Sequence, residues 1–361
     1  MRKSVLIAAL AGSAFIFSLL VEGCHGGNDT SATQPGNTGF VFKDKLSEYG
    51  FFAGNLNELK PQAALFHYDL ATPLFTDYAV KDRFILLPKG THATYTGAGV
   101  PEFPDSTIII KNFAYNNEQH QKIMIETRIL VKDPSDHAWK VMDYLWNKEQ
   151  TDAVKHITGA KVPITLLDDN GNKISTVYQV PNTNDCKRCH MSDGLIMPIG
   201  PKARNLNTVL QGEAENQLQK WASIGGIDSL PDLNTVAALP NWKDSKHFNL
   251  EQRARAYVDV NCAHCHNAKG DASNTGLFLE YEQTDASHLG ILKEPVSAGG
   301  GAGGMNYDII PGDAAHSIFA YRMNSAEPGT AMPELARTIV HKEGVQLIVD
   351  WIDQMKTNNK K

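Results

Sequence analysis

Apolar positions along this chain change their period near residue 180. Before that point they come in short runs rich in β-branched and aromatic residues. "RFILLP" (83–88), "STIIIKNFAY" (106–115) and "WKVMDYLW" (139–146) are three such runs, each long enough for one strand. "KIMIETRILVK" (122–132) alternates, with Ile123, Ile125, Thr127, Ile129 and Val131 on one face. "PITLLDDNGNKISTVYQV" (163–180) places Asn170-Gly171 in a polar turn between two apolar runs, which predicts a hairpin. Many short strands with turn signals between them predict an antiparallel β-sandwich or jelly-roll-like N-terminal domain.

From Pro181 the spacing turns helical. "TVLQGEAENQLQKWASIGG" (208–226) repeats apolar residues at Val209, Leu210, Leu218, Trp221 and Ala222 and ends in Gly-Gly. "NLEQRARAYVDVNCAHCH" starts at Asn249, a candidate N-cap with Gln252 three residues on, and runs into a cysteine-rich motif. "HKEGVQLIVDWIDQM" (341–355) aligns Val345, Ile348, Ile352 and Met355 on one stripe beside Trp351. The glycine-rich stretch 297–308 reads as a loop.

The first residues follow neither pattern. Arg2 and Lys3 precede an apolar run, Val5 to Val21, that is marginal for a membrane span and fits an export signal. Gly23-Cys24 matches the end of a bacterial lipoprotein signal, with Cys24 the lipidation candidate, although Glu22 departs from that pattern; a plain secretory signal is the alternative. The following Gly-, Asn-, Thr- and Ser-rich residues suit a tether. The resulting plan is signal 1–23, tether 24–44, β-rich domain 45–180, a first segment 181–245 and a second 246–361. A net charge of −6 without basic runs excludes nucleic acid as the main partner.

Only five cysteines occur, and four fall in "DCKRCH" (185–190) and "NCAHCH" (261–266). In an exported chain two disulfides are the first reading to test. Pairing within C-x-x-C gives tight, reactive loops rather than staples. Zinc gives no reason for a histidine at the same offset in both copies, and an adjacent Cys and His are poorly placed to share one tetrahedral ion. Covalent haem explains all three positions. Two thiols two residues apart meet two vinyl groups, and the next residue offers its imidazole to the iron. The expectation is two haem c groups, held by Cys186 and Cys189 with His190 and by Cys262 and Cys265 with His266.

Downstream of His266, Met332 in a Met-Pro pair is the candidate sixth ligand, with Met323 as its rival. A helix, the motif, a methionine loop and a closing helix together look like a class I cytochrome c. The first motif is followed by Gly200, Pro201 and Leu206, a loose version of the Gly-Pro-x-Leu element whose proline carbonyl accepts from the ligating histidine. Its sixth ligand stays open between Met197, a residue of the β domain, Met323 and a vacant position. The fold class expected is thus α+β multidomain, with the β domain followed by an all-α, class I cytochrome c-like region carrying two haems.

The stretches "YDLATPLFTDYAVKDRFILLPKG" (68–90), "ETRILV" (126–131), "YLWNKEQTDA" (144–153), "YQVPNTNDCKRCH" (178–190), "PIGPKARNLN" (198–207) and "MPELART" (332–338) resemble a family of uncharacterised bacterial dihaem c-type cytochromes. The resemblance covers about residues 45–356. It implies exported dihaem electron transfer between redox proteins, with a β-rich domain before the haem segments.

Three functions follow as expectations. An electron carrier of the cell envelope, periplasmic or outer-membrane, anchored by its lipid and without enzymatic activity, is favoured. A dihaem peroxidase needs an open first haem and a distal acid–base group, and none can be named. In the third, the β domain binds a substrate or a dehydrogenase through aromatics such as Tyr68, Phe75, Tyr78, Trp139, Tyr144 and Trp146, which are more readily explained as core.

Overall fold

The computed structural model describes residues 39–356 apart from Asp169 and Ser297. The export signal, Cys24 and most of the tether lie outside the described residues. The described residues belong to one compact unit.

Its centre is a six-stranded antiparallel meander. The strands are β1 (Leu65–Tyr68), β2 (Val80–Leu86), β3 (Ile108–Asn116), β4 (Lys122–Lys132), β5 (Trp139–Trp146) and β6 (Ala153–His156), each paired with the next in sequence. A separate two-stranded ribbon follows, β7 (Ala160–Leu167) with β8 (Lys173–Val180). Its turn holds the expected Asn170-Gly171, and Asp168 accepts from the backbone N–H groups of Asn170 and Asn172 at 2.9 and 2.7 Å.

The two faces of the meander differ. On one, Phe84, Ile108, Ile110, Ile129, Val131, Tyr144 and Trp146 form a continuous core under Leu46, Phe51 and Phe52. On the other, apolar residues fill one end: Ile85, Ile109, Leu130 and Val141 pack with Leu206, Leu218 and Trp221 from beyond residue 200. The middle of that face is charged. Arg83, Lys111, Arg128 and Asp143 stand side by side in register on β2, β3, β4 and β5. The single face expected in β4 holds only for its second half: a register shift opposite Phe113 and Ala114 puts Ile123 and Ile125 with Leu166 and Tyr178, while Met124 joins Ile129 and Val131. The alternation also gave no sign that Arg128 turns inward.

After residue 180 come α1 (Thr183–His190), α2 (Ala203–Leu206), α3 (Gln217–Ser223), α4 (Leu250–Asn261), α5 (Ile318–Met323) and α6 (Lys342–Gln354). The expected fold class is corrected on two counts. One meander and a separate ribbon stand where a sandwich of two sheets was expected. No all-α cytochrome c-like region is evident, because only α4 and α6 exceed eight residues and long irregular segments separate the helices. Part of this second region pairs as strand: Ile227-Asp228 runs parallel to Ala93-Thr94, and Met191-Ser192 pairs with Leu195-Ile196.

Single segments show why. The expected helix 208–226 shrinks to α3. Asn216 caps it by accepting from the Leu218 N–H at 2.9 Å, and Val209, read as apolar face, is 54% exposed. Polar Gln, Glu and Asn residues upstream of the cap leave no face to bury, so no helix extends there. By contrast α4 begins at Asn249 with the reciprocal Gln252 contacts of a capping box. It packs on α6 around Tyr257, Leu347, Ile348 and Trp351.

That packing depends on Gly344. A Cβ there would lie 2.3 Å from the Tyr257 hydroxyl and 2.7 Å from His341 Nδ1, which are themselves 2.8 Å apart. Gly344→Ala should therefore lower stability by about 1–3 kcal/mol, as overpacking does. The urea midpoint should fall at unchanged m-value, and an unchanged midpoint would show that the two helices have slack.

Candidate functional site

Both cysteine motifs open into one cavity of about 670 Å³. It is lined by Cys186, Cys189, His190, Cys262, Cys265 and His266, together with Met323 and Met332. Its wall on the sheet side includes Lys111 and Arg128.

Helix α1 presents the first motif. Asn182 accepts from the N–H groups of Asn184 and Asp185 at 2.8 and 3.0 Å, and the Asp185 carboxylate accepts from the Asn182 N–H. The helix then aligns Cys186, Cys189 and His190 at i, i+3 and i+4 on one face. Cys186 docks on the meander, its thiol 3.6 Å from Asp143 Oδ2. Burial raises the Cys186 thiol and Asp143 alike. Arg128 pairs with both Glu126 and Asp143, so the carboxylates under the helix are partnered.

His190 is oriented by a hairpin that follows the helix. Met191↔Ile196 and Ser192↔Leu195 pair around Asp193-Gly194, both at positive φ, as a two-residue turn demands. This brings the Met197 carbonyl to 2.8 Å from His190 Nδ1, which donates to it. Nε2 is then the nitrogen left to ligate. The sequence pointed to the Pro201 carbonyl for this role; the short hairpin closes the ring earlier, on Met197. The Met197 side chain packs against the core between sheet and α3 and is not among the cavity-lining residues.

The second motif continues α4 by one turn. The Cys262 carbonyl accepts from the N–H groups of Cys265 and His266 at 3.1 and 3.0 Å. His266 Nδ1 donates to Thr275 Oγ1 at 3.2 Å, while that hydroxyl donates to the Ala272 carbonyl. Sequence reasoning missed Thr275, nine residues on in a segment without periodicity. Gly270 permits this return, since a Cβ would sit 2.2 Å from the Cys265 carbonyl oxygen.

The methionines differ in setting. Met323 ends α5 and belongs to the α4–α6 core at 7% exposure. Met332 has its backbone fixed from both sides: its N–H donates to the Arg322 carbonyl at 3.0 Å, and its carbonyl accepts from Arg337 at 3.0 Å. Its thioether lines the cavity and is half-buried. Asp77, on the loop between β1 and β2, secures the next residues by accepting from Thr338 N–H at 2.8 Å and Ile339 N–H at 3.0 Å.

The two motifs meet directly. Ligand atoms of Cys189, His264 and Cys265 all lie within 4.8 Å of one another. The Cys265 thiol donates to the Arg188 carbonyl at 3.8 Å, and the closeness of the two thiols pulls Cys189 down to about 4 and pushes Cys265 up. Around them Asp193 N–H donates to the Lys269 carbonyl at 3.0 Å, and Arg188 reaches Asp271 and Glu334 at 3.4 and 3.1 Å.

Of the aromatics considered for a β-domain site, Tyr68, Trp139, Tyr144 and Trp146 are core. Phe75 lines the cavity and stacks on His341 with centroids 4.0 Å apart. Tyr78 donates to Glu343 at 2.7 Å. No protein-family model matches this chain, and no curated protein and no solved structure matches it either.

His190 and His266 are both held down to about 4, chiefly by burial, from an ordinary value of 6.5. A depressed base binds its proton more readily once unfolded, so the linkage sign is fixed. In chain produced without cofactor, stability should be full above about pH 6.5, decline as pH falls toward about 4, and level off below. Urea midpoints across that range check this, with His190→Gln and His266→Gln each expected to flatten the slope. A wild-type midpoint that rises on acidification would contradict the burial of these imidazoles.

Proposed function

We propose that this protein is a dihaem c-type cytochrome that relays electrons between redox proteins. One observation carries the reading: two CxxCH motifs, 76 positions apart in the chain, face one cavity with both histidines neutral. Neutral imidazole is the ligating form. The donor set fits the group. The His190 Nδ1 is already engaged, the four thiols are free, and Met332, its backbone anchored, lines the same cavity. A bound haem supplies a one-electron ferric/ferrous couple.

Each residue then has a task. Cys186, Cys189, Cys262 and Cys265 would hold the two groups by thioether bonds, His190 and His266 would ligate their irons, and Met332 would complete the second site. Met323 serves as core and Met197 as the acceptor that orients His190. Cys189 and Cys265 lie together, so groups attached there would be neighbours, which would suit transfer from one to the other. With Cys24 lipidated, the chain works as an envelope protein at a membrane surface.

A second reading rests on the Cys189–His264–Cys265 cluster, whose two thiols and one imidazole suit zinc. The two readings exclude each other, since thioether bonds consume both thiols.

Expressed with the haem-attachment machinery, the denatured chain should carry the mass of two haems. Cys262→Ser with Cys265→Ser should carry one. Met332→Ala should keep both yet lose the long-wavelength methionine–iron band of the ferric spectrum. A chain with no added mass that instead retains stoichiometric zinc would replace the proposal with the second reading.

A further inference from the structure

Resting on the haem reading above, we propose that Lys111 is the sixth ligand of the iron carried by the first motif. The first motif has a candidate proximal histidine, while the methionines are otherwise placed: Met197 packs in the core and its carbonyl orients His190, Met323 belongs to the α4–α6 core, and Met332 is assigned to the second motif. The distal donor must come from another element lining the same part of the cavity.

Lys111 is on β3, at the middle of the sheet face on which α1 lies. Its side chain lines the cavity, and its Nζ lies 4.8 Å from the Phe113 ring centre. Its cross-strand neighbours are Arg83 on one side and Arg128 on the other. Each of those guanidiniums has a carboxylate: Asp69 at 2.5 Å for Arg83, Glu126 and Asp143 for Arg128. Lys111 has neither a carboxylate nor a hydrogen-bond acceptor among the described residues.

A half-buried lysine placed between two like charges is disfavoured as an ammonium. Burial, followed by Arg83, Lys81 and Arg128, favours the neutral amine. A neutral amine has a lone pair, and the cavity is what it faces. Lys111 and Arg128 are also close enough to His190 to disfavour its protonated form. Lys111 on the sheet and His190 on α1 line the same cavity.

The other unpartnered nitrogen donor in the cavity wall is His264, whose Nδ1 is buried without a hydrogen bond. It is gathered at the sulfurs of Cys189 and Cys265. Those sulfurs bond the rim of each macrocycle, so His264 lies at an edge rather than over the metal. Lys111 as a counter-ion to a haem carboxylate is the remaining alternative, and it calls for a permanent cation.

Lys111→Arg separates the roles, because arginine keeps a charge and does not ligate. The wild-type ferric protein should show two low-spin haems by electron paramagnetic resonance and magnetic circular dichroism. In Lys111→Arg and Lys111→Ala one low-spin signal should be lost, with both haems still attached by mass, and His264→Ala should match wild type. Two retained low-spin signals in Lys111→Arg overturn the assignment alone. A wild-type chain with no haem mass on Cys186 and Cys189 overturns the underlying reading and the assignment with it. Should the variants fail to accumulate, wild type labelled with ¹⁵N-lysine decides. A ¹⁵N hyperfine coupling to one ferric haem supports Lys111, and its absence from both removes it.

Discussion

The arrangement depends on two distant chain segments being brought edge to edge at Cys189 and Cys265. Their ligand atoms lie within 4.8 Å, and around them the turn at Asp193-Gly194 meets Lys269 and Arg188 reaches across to Asp271 and Glu334. Each exposed pair is worth at most about 1 kcal/mol. The junction is held instead by what each motif is mounted on. Helix α1 sits on the meander through Cys186, and the second motif extends α4, which is locked against α6 at Gly344. Both mounts are packed elements, which fix the cysteine and histidine side chains more narrowly than loops would.

The meander supplies more than a platform. A sheet face covered by protein is normally apolar throughout, yet here Arg83, Lys111, Arg128 and Asp143 cross it in register. Burying four ionisable groups is unfavourable unless they are partnered. Asp69, Glu126 and Tyr178 do much of this, with Tyr178 donating to Glu126 at 2.5 Å. The row has one gap, at Lys111, and that gap faces the cavity. The β-rich part is therefore a wall of the site rather than a separate module, and the loop carrying Phe75 and Asp77 ties the same part to the residues after Met332.

Legibility in the sequence followed the range of the interactions. The four inner strands of the meander, the Asn170-Gly171 turn, the α4 cap and the stripe of α6 are local patterns, and each was readable, whereas the short edge strands Leu65–Tyr68 and Ala153–His156 carry too few residues for a pattern and were missed. The collapse of 208–226 to α3 was not, because Leu218 and Trp221 are buried by residues far upstream while Val209 finds no partner. A sandwich was expected because short strands with turns are common to sandwiches and to a single meander; strand count does not say what covers the second face. Likewise, helical spacing around a haem motif suggested an all-α module, but segments rich in glycine and polar residues lack the apolar stripe that sustains a helix.

What the sequence determined by itself was the chemistry: four thiols and two imidazoles at fixed offsets, whose spacing is set by covalent geometry within one helical turn. It also determined the short elements, since caps, turns and periodicity act over a few residues. Only the tertiary structure decided that both motifs open into one cavity, that the Met197 carbonyl orients His190, and that Lys111 faces the space beside it. Those relations join residues tens to hundreds of positions apart. Their energies come from burial and charge among partners that no local pattern names.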